Sequence, residues 1–126
     1  MIEELVSFEI AKLAKEKGFY DLYAGFTIDG KLIPMQQTAQ FIEDIYYSAP
    51  TQSLLQKWLR EVHNIWVEPK IYDGPTQREK VFGYLILNTK WEDDEEVRFV
   101  ETKAEWNTYE LALEEGLKQA LKLIEL

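Results

Sequence analysis

The sequence predicts an α+β protein, a three-stranded antiparallel β-meander packed with helices. Three observations carry that expectation. Apolar residues recur at helical spacing in residues 2–17, 51–63 and 107–124, and between the last two stretches the spacing switches to alternation. The strand-like stretches also follow one another directly, which argues against a doubly wound parallel sheet. The expected order is helix, irregular segment with a hairpin, helix, three strands, helix. All 126 residues fit one domain, 1–126, with an N-terminal part at 1–50 and an α-β-β-β-α core at 51–126.

The first helix is expected from residue 2 to about 17, with Ile2, Val6, Ile10, Leu13 and Ala14 on one arc and Gly18 as its stop. Phe8 lies opposite the centre of that arc and offers a second apolar contact. In residues 19–50 the clearest signal is Asp29-Gly30, which suits a two-residue type I′ hairpin between Phe26-Thr27-Ile28 and Lys31-Leu32-Ile33. Residues 36–47 fit a helix through Phe41, Ile42 and Ile45 or a strand alternating Phe41, Glu43, Ile45 and Tyr47, and a helical turn followed by extended chain is the favoured reading. Pro50-Thr51 then opens a helix whose Leu54, Leu55, Trp58, Leu59 and Val62 share a face.

After His63-Asn64, Ile65, Val67 and Ile71 alternate with Trp66, Glu68, Lys70 and Tyr72, and Pro69 places this strand at a sheet edge or bulge. Asp73 to Gln77 form a turn, residues 81–87 a strand interrupted by Gly83, and Val97 to Thr102 the third strand. Asn107 and Glu110 resemble a capping box. They open a last helix with Tyr109, Ala112, Leu113, Gly116, Leu117, Ala120, Leu121, Leu123 and Ile124 on one broad face.

A net charge of −9 repels phosphate backbones and anionic membranes, so nucleic-acid and membrane partners are not expected. No apolar stretch is long enough to span a bilayer, and the start Met1-Ile2-Glu3-Glu4 lacks the pattern of a signal peptide. With no cysteine to form disulfides, a cytoplasmic location is expected. The lack of cysteine and the single histidine leave no basis for a zinc site, and no metal or other cofactor is expected. The six glycines are scattered, which argues against a phosphate-binding loop. No serine sits in a nucleophile elbow, and His63 fits better as the last residue of a helix, where the helix dipole favours a cation. No catalytic residue is assigned.

Several groups remain as candidate surfaces. Glu92, Asp93, Asp94, Glu95 and Glu96 lack the alternate spacing and glycine of a calcium loop, so they read as a solvated tip or an acidic patch for a protein partner. Ala112, Gly116 and Ala120 form a small-residue stripe, suited to close packing against the sheet or to a dimer seam. Phe8, Tyr46, Tyr47, Trp66, Lys70, Tyr72, Phe82 and Tyr84 are candidates for an aromatic interaction surface. Trp66, Lys70 and Tyr72 share a strand face, and Phe82 and Tyr84 join them if the register allows.

The order of elements over residues 51–124 resembles that of the double-stranded-RNA-binding domain. The entry to the last helix, Asn107-Thr108-Tyr109-Glu110 followed by Glu114 and Glu115, has the wrong charge for RNA. Three stretches, Glu4 to Gly18, Ala49 to Ile65 and Tyr109 to Ile124, resemble a family of small phage and prophage proteins of gut Bacteroidetes. That resemblance implies a mobile-element origin and carries no established activity or site residue. The expected function is that of a non-enzymatic accessory protein acting on a host or phage protein, with a homodimer also allowed. A small-ligand or nucleotide-binding module is the alternative.

Overall fold

The computed structural model describes residues 4–20, 24–73, 80–89, 97–102 and 105–124. Its elements are α1 (Phe8–Glu16), β1 (Ala24–Phe26), β2 (Leu32–Ile33), β3 (Tyr47–Ala49), α2 (Gln52–His63), β4 (Ile65–Asp73), β5 (Lys80–Thr89), β6 (Val97–Glu101) and α3 (Tyr109–Lys122). Short 3₁₀ turns at Met35–Gln37 and Ile42–Asp44 join β2 to β3. The chain is α+β, and α2 through α3 follow the expected order of a helix, three strands and a helix. By contacts it divides into two compact units, residues 1–55 with 126, and residues 56–125, so the division lies within α2.

In the first unit, β2, β1 and β3 form an antiparallel sheet in that order. The hairpin was legible, but β3 extends the sheet beyond it. α1 starts later than the periodicity suggests. The Ser7 hydroxyl accepts the Ile10 N–H, so the helix begins at Phe8. Residues before it run extended, with the Val6 N–H on the Pro50 carbonyl and the Gln52 N–H on the Glu4 carbonyl. The stop is where glycine put it. Gly18 has φ +98°, its N–H reaches the Lys15 carbonyl, and the Phe19 N–H reaches that of Ala14, which is a Schellman motif.

The hairpin turn also differs from the expected type. The Gly30 N–H bonds to the Thr27 carbonyl, and only Gly30, at φ +90°, adopts the left-handed conformation. Thr27 and Lys31 then pair around a three-residue loop, with the Thr27 N–H on the Lys31 carbonyl. A type I′ turn would have needed positive φ at Asp29 as well; instead the Thr27 hydroxyl donates to the Asp29 carboxylate and accepts the Lys31 N–H, which holds the longer loop.

In the second unit, β4, β5 and β6 form an antiparallel meander, with Val67 opposite Ile86, Pro69 opposite Tyr84 and Leu87 opposite Phe99. α3 packs on β4 and β5 and buries Ala112, Leu113, Gly116, Leu117, Ala120 and Leu121 together with Ile65, Val67, Tyr84 and Ile86. A Cβ at Gly116 would stand 2.9 Å from Val67 Cγ1 and 3.1 Å from Tyr84 Cγ, so the small-residue stripe is a close-packing surface inside the unit. That leaves it unavailable as a dimer seam. The cap of α3 is Thr108, whose hydroxyl accepts the Leu111 N–H, in place of the expected Asn107.

Pro69 does lie on an edge strand. The Tyr84 N–H bonds to the Thr102 hydroxyl and its carbonyl accepts the Thr102 N–H, so Tyr84 turns its polar backbone toward β6. Its partner Pro69 therefore faces away from the sheet, where a missing N–H breaks no ladder bond. Ile71 and Val62, which the spacing sets on one face with residues that are buried, are exposed at 62% and 57%. The periodicities continue past the ends of the surfaces that cover their elements.

Replacing Gly116 by Leu is expected to lower the unfolding free energy by about 1–3 kcal/mol through overpacking against Val67 and Tyr84. Urea denaturation measures this, and an unchanged midpoint would mean that α3 can lift from the sheet without cost.

Candidate functional site

The first unit contains an open groove of about 690 Å³ between the β1–β2 hairpin and the chain leading into β3. Ile28, Leu32 and Ile33 form one wall, and Phe41, Ile45 and Tyr46 the other. Ile28, Leu32 and Tyr46 are exposed, Phe41 and Ile45 are half-buried, and Ile33 is buried. Charge at the groove comes from Asp29, Lys31, Glu43 and Asp44.

Local chemistry builds both walls. Pro34 is extended, and its carbonyl accepts the Gln37 N–H, which starts the first 3₁₀ turn. The Asp44 N–H on the Phe41 carbonyl closes the second turn. The Tyr46 N–H then bonds to the Phe26 carbonyl and returns the chain to the sheet. Ile45 lies against the bare backbone of Gly25, where any side chain would collide with it.

Tyr46 belongs both to the groove and to an aromatic cluster. Its ring meets Tyr47 edge-on at 4.8 Å, and the Phe8 ring stands 5.4 Å from those of Tyr47 and Phe26. Lys15 Nζ donates to the Tyr46 carbonyl at 2.9 Å and lies 3.4 Å from its ring centroid, holding this residue by two contacts. Phe8 also supports the hairpin, since its ring lies 3.4 Å from where a Cβ on Gly30 would be. On the other wall, the Thr27 hydroxyl bonds to the Asp29 carboxylate. That bond, with the Asp29 backbone N–H, holds the carboxyl below its ordinary range.

Of the aromatic candidates, the fold brings Phe8, Tyr46 and Tyr47 together. In the second unit the register separates the others. Trp66, Glu68, Lys70 and Tyr72 share one sheet face with Leu85 and Leu87, whereas Phe82 and Tyr84 lie on the face that α3 covers. Tyr84 is buried, which pushes its phenol up, helped by the charges of Glu115 and Glu105. Phe82 is half-buried with its ring 6.4 Å from that of Tyr109. Trp66 remains exposed, with the Arg60 guanidinium 5.6 Å from its ring centroid. Glu92 to Glu96 and the turn after Asp73 lie outside the described residues.

The groove residues Ile28, Leu32, Glu43, Asp44 and Ile45 had no place among the sequence candidates. Ile28 was the available signal, an aliphatic side chain in a hairpin turn where no core reaches. No group of three or more histidine and carboxylate side chains suited to a metal occurs among the described residues. His63 ends α2 as expected, but burial lowers its pKa and so opposes the cation that the helix dipole favours. Its ring packs edge-on against Trp58 at 4.7 Å.

Comparison of the chain with protein-family models, with curated proteins and with solved structures gives no match.

His63 supplies a pH test of this packing. Its pKa is lowered in the fold from an ordinary value of 6.5, so the unfolded chain takes up the proton first. The stability contributed by the neutral ring is present above pH 6.5 and is lost as pH falls through that value, levelling off below the folded pKa. Urea midpoints from pH 7.5 to pH 5 are expected to fall more for the native chain than for His63→Gln. Parallel profiles would show that the ring stays solvated.

Proposed function

We propose that the protein is a non-enzymatic accessory protein that binds another protein, of host or phage, through the groove of residues 27–46. The observation that carries this reading is the groove itself, where Ile28 and Leu32 are exposed at 68% and 44% beside Phe41, Ile45 and Tyr46. Apolar side chains gathered in a concavity with a polar rim suit protein recognition, because filling it removes their surface from water. Tyr46, held by Lys15, presents a large amphipathic surface whose ordering cost has already been met in the free protein. The resemblance to phage and prophage proteins supports a host or phage partner in the cytoplasm.

The alternative is a small-ligand or nucleotide-binding module. A volume of about 690 Å³ falls in the range of small-molecule sites. Its lining, however, sets Asp29, Glu43 and Asp44 against Lys31 alone, which disfavours a phosphate. Its open form would also leave much of a small ligand in water.

Affinity purification from cells carrying the protein, followed by native mass spectrometry, tests the proposal. Native protein and Trp66→Ala are expected to retain the same partner, and Ile28→Asp with Leu32→Asp to lose it, with affinity reduced at least about tenfold. Equal retention by the double variant, or a nucleotide-sized mass on native protein in place of a protein partner, would overturn the reading.

A further inference from the structure

Building on the groove as a protein-docking site, we infer that its occupant is a polypeptide segment presenting a large apolar side chain next to a lysine or arginine. The charges on the two walls are not equivalent. On the hairpin, Asp29 is held by Thr27 and lies in the field of Lys31, so that wall is largely balanced. Glu43 and Asp44 project from the second 3₁₀ turn, both are exposed, and neither has a basic side chain within ion-pair distance among the described residues. Lys15, a cation of the same unit, is committed to the Tyr46 carbonyl and ring. An apolar anchor between Leu32 and Ile45 therefore lies beside two carboxylates that a neighbouring cation would complement.

Backbone pairing contributes little to such recognition. The Phe26 carbonyl is turned toward β3, where it accepts the Tyr46 N–H, so its partner Leu32 directs its own N–H and carbonyl away from β1. Two residues later Pro34 has no N–H, which ends this edge after one residue. Side chains must supply the specificity, and a surface of net charge −9 further favours a basic segment during encounter.

Panning the native protein against a displayed library of random short peptides tests the inference. Enriched peptides are expected to carry lysine or arginine beside leucine, phenylalanine or tryptophan. Synthetic copies should bind about three- to tenfold more weakly to the Glu43→Gln, Asp44→Asn double variant. They should also weaken as salt is raised. Peptides that lack basic residues, or that are indifferent to the double variant, but are lost on Ile28→Asp with Leu32→Asp, would overturn the charge assignment and leave the groove as a docking site. Peptides indifferent to the aspartate substitutions, or no enrichment, would overturn both. Circular dichroism and urea midpoints establish that each variant is folded.

Discussion

A side chain at position 116 would collide with Val67 and Tyr84, and the second unit is built around the space that its absence leaves. Glycine in a helix interior costs about 1 kcal/mol relative to alanine, and here the cost is offset by burial of two strands' inner residues beneath α3. The contact also fixes the register. Strand side chains alternate, so a slip of one residue would bring Trp66 and Glu68 under the helix and expel Val67. Glycine and register thus enforce one another. Their joint consequence is that Tyr84 and Ile86 are buried while Trp66 stays on the opposite face with Arg60.

The first unit solves a different problem, because its strands have only two or three residues each. Such a sheet has too few ladder bonds to stand alone, and side chains must brace it. Phe8 joins α1 to both Phe26 and Tyr47, and Lys15 ties the same helix to Tyr46. Ile45 resting on Gly25 draws the following chain onto β1. The groove is the geometric remainder of this bracing. A two-residue β2 is too short to cover the chain between Phe41 and Tyr46, so Ile28 and Leu32 face it across open space.

Elements defined by period were legible in the sequence. α2, α3 and β4 repeat apolar residues over enough positions for their period to show, β5 reads as a strand from a nearly continuous apolar run, and Gly18 and Pro69 act through local backbone chemistry. The boundaries that depart from the periodic pattern are those where a competing local bond decides. Ser7 starts α1 after several residues that already fit the helical pattern, and Thr108 rather than Asn107 caps α3. Register was the other gap. Nothing within β4 or β5 alone says whether Trp66 aligns with Leu87 or with Ile86, so Phe82 and Tyr84 could not be assigned to a face. The groove was hidden for a related reason. Phe41, Ile45 and Tyr46 share no regular period with Ile28 and Leu32, and they meet them through the return of the Tyr46 N–H to the Phe26 carbonyl and the seat of Ile45 on Gly25.

Both units protect a sheet edge against pairing with other chains. On β4 the outward-facing positions include Pro69, which lacks a donor, and Val67, whose carbonyl is taken by the Gln56 side chain. On β2 the outward positions are Leu32 and, just beyond it, Pro34, which again lacks a donor. These two edges therefore resist strand addition, which recognises any extended backbone and carries little sequence information. A partner that meets the β2 edge must instead be recognised by what its side chains place against Leu32, Ile45 and the carboxylates of Glu43 and Asp44. The same prolines that keep the edges from aggregating make binding at the groove depend on the partner's sequence.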